Sequence, residues 1–599
     1  MNQEDIRNTY LDLKHKNEVL LAGLKKQQLL VSLLRLFVFV AGGILSAIAF
    51  GYSLAGGILI ILITIILFLF LVKKFEDYSD QITVTGNLIR INTDEINVLD
   101  GDYSAFDGGS DLKDTKHDFS GDIDLFGDDS LFSYLNRTVT GSGRSQLAGW
   151  LSEPYDLREE IAERQEAVSE LAVKLAWRQQ FMASGLGKPL SEAEIQSLNE
   201  WLNESDNLFS SPLLKISSFV LPVAGIAALL LVIAGVIPLA LFLLVFVLNL
   251  LLVGAFLKRS NRIHAMVSQK QTFLSSFEEL IKSFEKERFN SSVLTAIQGK
   301  IYTERGSVAY KIRELNSIIR AFDNRLNLFV GFILNGLLLW DFHCIRKLEK
   351  WRTSAASSLP VWLNLLGKVD GFNCLANYAF NNPDYSFPQI ADNESVIIAS
   401  GMGHPLLKRE IRISNDFSIM HRGMVIIITG ANMAGKSTFL RTVAVNMVLA
   451  MTGAPVCAEK MKFSPLKLFT SMRTTDSLSH NESYFYAELK RLKALKERLE
   501  KGEEIFFILD EILKGTNSTD KSLGSKLFLR KLIELGGTGL IATHDISLGE
   551  METEYPVNVV NKCFEIEIDG ENISFDYKLR DGITRKMNAA ALMRQMGIA

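Results

Sequence analysis

The residues of this chain best suited to chemistry lie in one decapeptide, Thr429-Gly430-Ala431-Asn432-Met433-Ala434-Gly435-Lys436-Ser437-Thr438. Gly430 and the run Gly435-Lys436-Ser437 have the spacing of a phosphate-cradling loop, G-x-x-x-x-G-K-[ST]. Glycine is needed there because backbone N–H groups must turn inward around phosphate oxygens. Lys436 is then placed to reach β- and γ-phosphates and the Ser437 hydroxyl to hold Mg²⁺, so ATP and Mg²⁺ are the expected cofactors. Gly430 through Thr438 are the expected nucleotide-binding residues. The apolar run from Met424 to Ile428 predicts a buried strand before the loop, and Phe439 to Val448 predicts a helix after it. The start of that helix adds orphan N–H donors and the positive end of its dipole. A chance glycine turn is the competing reading, and this setting argues against it.

The elements that must complete such a site follow in order. Ile505-Phe-Phe-Ile-Leu-Asp510-Glu511 reads as a buried strand ending in two carboxylates, Asp510 for the magnesium shell and Glu511 to orient or deprotonate the attacking water. Gly539 to Asp545 reads as a third strand, ending at His544, a candidate γ-phosphate sensor. A lone histidine is more often structural. Between loop and carboxylates, Asp476-Ser-Leu-Ser-His-Asn481-Glu-Ser483-Tyr-Phe-Tyr-Ala-Glu488 is a polar turn opening a helix. ABC-type ATPases carry their signature there, and in that class one subunit's signature closes over the other's nucleotide. An ordinary helix cap at Ser479 or Ser483 is the alternative.

Taken together, these segments resemble the MutS family of DNA mismatch-repair ATPases. Asn432-Met433 inside the loop is characteristic of that family. Leu509 to Asp520 is similar to its Asp-Glu strand and the loop after it, Ala542-Thr-His544 to its switch histidine, and Gly403-His-Pro405 to a short motif preceding its ATPase domain. The resemblance places Asn481 and Ser483 in the trans signature, with Ser483 at the serine that meets the γ-phosphate bound by the other subunit. It implies Lys436, Glu511 and His544 as catalytic residues and a dimer, here a homodimer. Ser130 to Leu151 and Glu159 to Leu171 are similar to the start of the family's core, so the likeness runs over roughly 130–599. Ala431 and Ala434 replace a usual proline and glycine, and Asn481 stands where the signature usually has glycine. Mismatch-repair members begin with a domain that wedges a Phe-x-Glu motif into DNA. The residues ahead of the core-like start are of another kind, so DNA is an implied partner but mismatch sensing is not expected.

Those residues point to a lipid bilayer. Leu36 to Val72 and Ile216 to Leu257 carry no charge, and each run is about forty residues, twice the roughly 20 needed to cross about 30 Å of hydrocarbon. Each has a turn signal in its middle, Phe50 to Gly57 and Gly235-Val-Ile-Pro238. Four spanning helices in two hairpins are expected. Lys25, Lys26, Arg35, Lys73 and Lys74 flank the first run, and Lys215, Lys258, Arg259 and Arg262 the second. The positive-inside rule puts those flanks, both termini and the ATPase in the cytoplasm. The shorter run from Leu326 to Trp340 reads as a buried helix.

The expected fold class is an α/β P-loop domain of ABC type at the C-terminus, preceded by an all-α core and lever region and the two hairpins. The corresponding segments are an amphipathic helix at 1–35, hairpin 36–72, connector 76–129, helical core 130–211, hairpin 212–257, helical core and lever 258–395, and ATPase domain 396–599. In the connector, Ile82-Thr-Val-Thr alternates as short strands do, and the Asp-rich stretch up to Ser130 reads as a solvated loop, with a divalent cation as the alternative. The net charge of -4 supplies no global basic field for nucleic acid. Four scattered cysteines, Cys344, Cys374, Cys457 and Cys563, fit a reduced compartment and no metal spacing. A motor for transport or membrane remodelling, or an ATP-controlled tether, is the alternative function.

Overall fold

The computed structural model describes residues 2–154, 157–186, 200–203, 212–268, 271–303, 306–391, 396–472, 484–514, 517–569 and 572–584. They fall into two compact units, one of 1–137, 147–175 and 372–599, the other of 138–146 and 176–371.

The first unit opens with two very long antiparallel helices, α1 (Gln3–Tyr52) and α2 (Leu54–Leu99). A capping box of Asn2 and Asp5 starts α1, and Ser53 alone forms the hairpin tip, its hydroxyl accepting from the Gly56 N–H. At 1.5 Å per residue, 50 residues make a rod of about 75 Å. The amphipathic segment 1–35 and the uncharged run are therefore one continuous helix. The strand expectation at Ile82-Thr-Val-Thr is also overturned. Those residues lie inside α2, where Thr83 and Thr85 donate to carbonyls four residues back, of Ser79 and Gln81. A four-residue alternation is too short to outweigh packing along a partner helix.

The foot of this hairpin is held by a buried ion pair. Glu95 accepts from Arg137 at 2.6 Å, Asn377 at 2.9 Å and Asn381 at 2.8 Å, and the Tyr10 hydroxyl donates to Asn381 at 2.7 Å. Past the foot, the Asp-rich stretch is solvated as expected at Asp114, Asp128 and Asp129, but it is anchored at Asp118 and Asp122. Asp122 is buried and accepts from Thr470 Oγ1 at 2.6 Å and Met472 N at 3.1 Å. Arg491 donates to the carbonyls of His117 and Asp118, and Arg498 pairs with the Asp118 carboxylate. Among the described residues no cluster of His, Cys, Asp or Glu could hold a metal. The composition of the stretch hid arginines that lie far away in sequence.

In the second unit, α3 (Pro212–Ile233) and α4 (Leu239–Ala255) carry the second uncharged run. Helices α5 (Val308–Asp323), α6 (Leu328–Leu338) and α7 (Trp340–Ala355) follow. By length and hydropathy α1, α2 and α3 each suffice to cross a membrane. Helix α4 qualifies only together with Leu257–Ser268, from which it is bent by 64°, and α6 only with α7, bent by 80°. The expectation of a buried helix at Leu326–Trp340 fails. Leu328 and Phe329 are 80 % and 77 % exposed, because only the narrow face of Gly331, Asn335 and Gly336 is covered.

The C-terminal region of the first unit is an α/β domain. Its six-stranded sheet contains β1 (Val425–Gly430), β2 (Lys467–Ser471), β3 (Ile505–Asp510), β4 (Thr538–Thr543), β5 (Val559–Phe564) and β6 (Leu579–Asp581), in the order β6-β5-β1-β4-β3-β2. All neighbours are parallel except β6, which runs antiparallel to β5. Helices α8 (Lys436–Thr452), α9 (Tyr484–Glu500) and α10 (Ser518–Glu534) alternate with the strands. β1, β3 and β4 are continuous apolar runs because both faces are covered. Parallel pairing in register brings their C-terminal ends to one edge, where ligands bind such sheets.

Candidate nucleotide site

The loop leaving β1 needs glycine at two places. Gly430 approaches β5 so closely that a Cβ there would lie 2.9 Å from the Phe564 carbonyl oxygen. Gly435 has φ +105 and faces the Tyr577 ring at the mouth of α8. Met433 also adopts a left-handed conformation, at φ +65. Lys436 Nζ donates to the Gly430 carbonyl at 2.7 Å and the Ala431 carbonyl at 3.0 Å, and lies 3.3 Å from His544 Nε2. Burial pulls its pKa down to about 8, against the opposing pull of Asp510 and Glu511.

At the same edge, the Ser437 hydroxyl donates to Asp510 Oδ2 at 2.6 Å, joining α8 to the end of β3. Glu511 follows in a left-handed turn, φ +50, with its N–H bonded to the Ala542 carbonyl of β4. Its carboxylate meets His544 Nε2 at 2.7 Å and Lys521 Nζ at 3.7 Å. The His544 hydrogen bond drives the Glu511 pKa down to about 2, although burial opposes it. Lys436, Ser437, Asp510, Glu511 and His544 are thus brought together from three adjacent strand ends. Lys436, Ser437, Glu511 and His544 border a cleft of about 600 Å³ whose other wall is apolar, with Leu407, Ile411, Ile413 and Phe564. A bare phosphate loop, a hydroxyl–carboxylate pair suited to Mg²⁺ and an apolar shelf form a donor set that fits a magnesium nucleotide.

Asp520 is not in a loop. It sits in the first turn of α10, where Asn517 caps it through the Asp520 N–H at 2.8 Å, and the next residue, Lys521, is the one that faces Glu511. Asn481 and Ser483 lie outside the described residues. Glu488, noted above only as the end of the signature-like segment, is buried in α9 and accepts from the N–H groups of Leu513 at 2.7 Å and Lys514 at 3.2 Å. It thereby anchors the turn that follows Asp510-Glu511. His404 is half-buried on the cleft wall, and its desolvation there lowers its pKa to about 4. Tyr577, Lys521 and Glu488 were assigned no role from sequence, since no motif around them points to the cleft.

Comparison with known proteins finds similarity over the same region. The profile of MutS domain V matches residues 426–597 and that of MutS domain III residues 112–209. The DNA mismatch repair protein MutS of Thermotoga petrophila is 29% identical over 236 residues, 39% of this chain and 29% of that protein. That of Persephonella marina is 31% identical over 239 residues, 39% of this chain and 27% of that protein. Human MutS protein homolog 4 is 32% identical over 216 residues, 34% of this chain and 22% of its own length. Two regions of the chain thus match domains of the MutS family. The domain III match starts at residue 112, inside the stretch read from sequence as a connector. The matched part spans less than a third of the length of these relatives.

Proposed function

We propose that this chain is a membrane-anchored ATPase of the MutS family that binds and hydrolyses ATP at a site completed by a second copy of itself. The convergence of Lys436, the Ser437–Asp510 pair and the Glu511–His544 pair at one edge of a parallel sheet carries this reading. The backbone of 430–435 and the start of α8 hold phosphate oxygens, and Lys436 neutralises the terminal phosphates. Ser437 and Asp510 would hold Mg²⁺, whose charge offsets that developing on the transferring phosphoryl group. Glu511 receives the attacking water. A carboxylate held near pKa 2 is a weak base, which supports orientation of that water over its deprotonation. His544 fixes the Glu511 carboxylate, and its distance of 3.3 Å from Lys436 Nζ supports a sensor of the terminal phosphate. Ser483 and Asn481 of a second copy would close over the nucleotide.

The membrane part rests on helices α1 to α4, whose uncharged stretches are exposed along their length. The helix run Leu36–Tyr52 and the return from Leu54 to Val72 each rise about 25–30 Å, the thickness of a hydrocarbon core. Nucleotide-driven closure would reach the first hairpin through Asp118 and Asp122, which clasp β2 and α9. The relatives are named for DNA mismatch repair, and DNA enters here as a partner without a mismatch-reading role. Its binding should weaken steeply with salt, and no binding to duplex, junction or mismatched DNA at low salt removes it. The ATPase reading is tested with Glu511→Gln in the full-length protein. Turnover should drop by about 10²–10³ while ATP still binds and holds the dimer. Unchanged turnover overturns the mechanism.

A further inference from the structure

The turn and helix at Leu326–Leu338 belong to no function assigned so far. Leu326, Leu328, Phe329, Val330, Phe332 and Ile333 are exposed by 40 to 80 %, an apolar patch at the end of the antiparallel pair α5 and α7. That pair is tied by indole N–H groups: Trp340 to the Ala321 carbonyl at 2.7 Å and Trp351 to the Lys311 carbonyl at 2.8 Å.

The covered face of α6 packs on the second hairpin through small residues. A Cβ on Gly336 would fall 2.2 Å from the Phe246 ring, and one on Gly225 would lie 3.2 Å from the Leu337 carbonyl oxygen. Asn249 of α4 donates to the Gly336 carbonyl at 2.7 Å. Phe332 meets Phe246, while Phe342, at the start of α7, meets Phe256 at the end of α4. Helix α6 therefore follows α4, with its exposed start beside Phe246 and its end beside the charged residues that flank the hairpin. A polar belt marks that second level: Arg325 pairs with Asp341 at 2.9 Å and bonds Asn261 at 2.8 Å, and His264 meets Asp323 at 2.8 Å.

The backbone at both ends of the finger is satisfied from within. Asn327 caps the Phe329 and Val330 N–H groups. At the other end Leu339 turns left-handed at φ +48, its N–H bonded to the Asn335 carbonyl, and the Asn335 side chain bonds Asp341 through both its ends. Irregular backbone survives at membrane depth only when its polar groups are met by protein. Eleven residues rise about 16 Å, half of what spanning requires.

We propose that Leu326–Leu338 is a re-entrant finger, which dips into the acyl chains of the leaflet bearing the basic flanks and returns without crossing. The inference rests on the membrane reading of α3 and α4, whose exposed apolar face it continues. Its occupant is the hydrocarbon of the bilayer itself. The four native cysteines are buried, so a cysteine introduced at an exposed position can be labelled selectively. The full-length protein, labelled with an environment-sensitive dye at Phe329→Cys, Leu328→Cys, Leu244→Cys or Thr353→Cys, would be placed in phosphatidylcholine–phosphatidylglycerol vesicles. Brominated acyl chains should quench the labels at 328, 329 and 244 to a similar extent, and aqueous iodide only the label at 353. Lipid quenching at 244 with iodide quenching at both 328 and 329 overturns the finger and leaves the anchor standing. Iodide quenching at 244 as well overturns the membrane reading and the finger with it.

Discussion

Val425, Ile427 and Ile428 in β1 are fully enclosed, whereas Leu230 in α3 and Leu244 and Leu251 in α4 expose 61, 61 and 68 % of their surface. The two regions use nearly the same residue types. In the sheet, neighbouring strands and α8 supply the apolar surroundings. Along the hairpins no described residue supplies them over most of the surface, and each large side chain left in water would forgo about 1.5–3 kcal/mol of burial. Dozens of such residues, arranged all round the helix instead of on one stripe, support the proposed bilayer setting. Polar contacts divide the same way. The sheet edge gathers five charged or hydroxyl groups from separate segments, while the described uncharged helices place Asn249 against a backbone carbonyl.

The largest effect that could break this comparison is a matched pair of substitutions. Ile427→Asp places an unpaired carboxylate in the sheet, at a cost of several kcal/mol against a domain stability of about 5–15 kcal/mol. It should abolish nucleotide binding and cooperative unfolding in detergent. Leu244→Asp should leave both intact and instead weaken membrane insertion by about 2.5–3.5 kcal/mol, read as the fraction retained in membranes. Loss of nucleotide binding in both would put the two regions in one core.

Glu95→Ala comes next. It leaves the Arg137 guanidinium buried without its carboxylate and should cost about 3–5 kcal/mol in denaturant unfolding of the detergent-solubilised protein. A cost under about 1 kcal/mol would mean the hairpin foot is not fixed to the first unit by this cluster.

The pH dependence is smaller and has a definite sign. Lys436 titrates near 8 in the free protein, so its charge is lost as pH rises through that value. Bound phosphates favour the charged form. kcat/KM should therefore fall above about pH 8, by up to tenfold per pH unit, while kcat holds. Glu511, near 2, contributes no acid limb above pH 4. A falling kcat with constant kcat/KM would contradict this assignment. Smallest is Asn249→Ala, which removes the bond to the Gly336 carbonyl and should lower stability in detergent by about 0.6–1.7 kcal/mol.

The strands and the phosphate loop were legible because their signals are local. A continuous apolar run, glycines at fixed offsets and a carboxylate pair each fall within a few residues of chain. The failures came where a distant partner decides the outcome. The alternation at Ile82-Thr-Val-Thr was overridden by α1, and the acidic stretch was claimed by Thr470, Arg491 and Arg498. Asp520 lost its place in a loop to a helix cap at Asn517, while Lys521 and Glu488 reached the Glu511 turn from helices whose sequences advertise only solvent-facing charge. The run at Leu326 looked buried because composition alone does not distinguish a covered apolar face from an exposed one.

The central claim is that exposed apolar helices hold a nucleotide-hydrolysing domain in a bilayer. Its most direct test is an alkaline carbonate wash of membranes from cells producing the full-length chain. The account predicts that the protein stays with the membranes and leaves only in detergent. Release by carbonate as a monodisperse, detergent-free protein would contradict it.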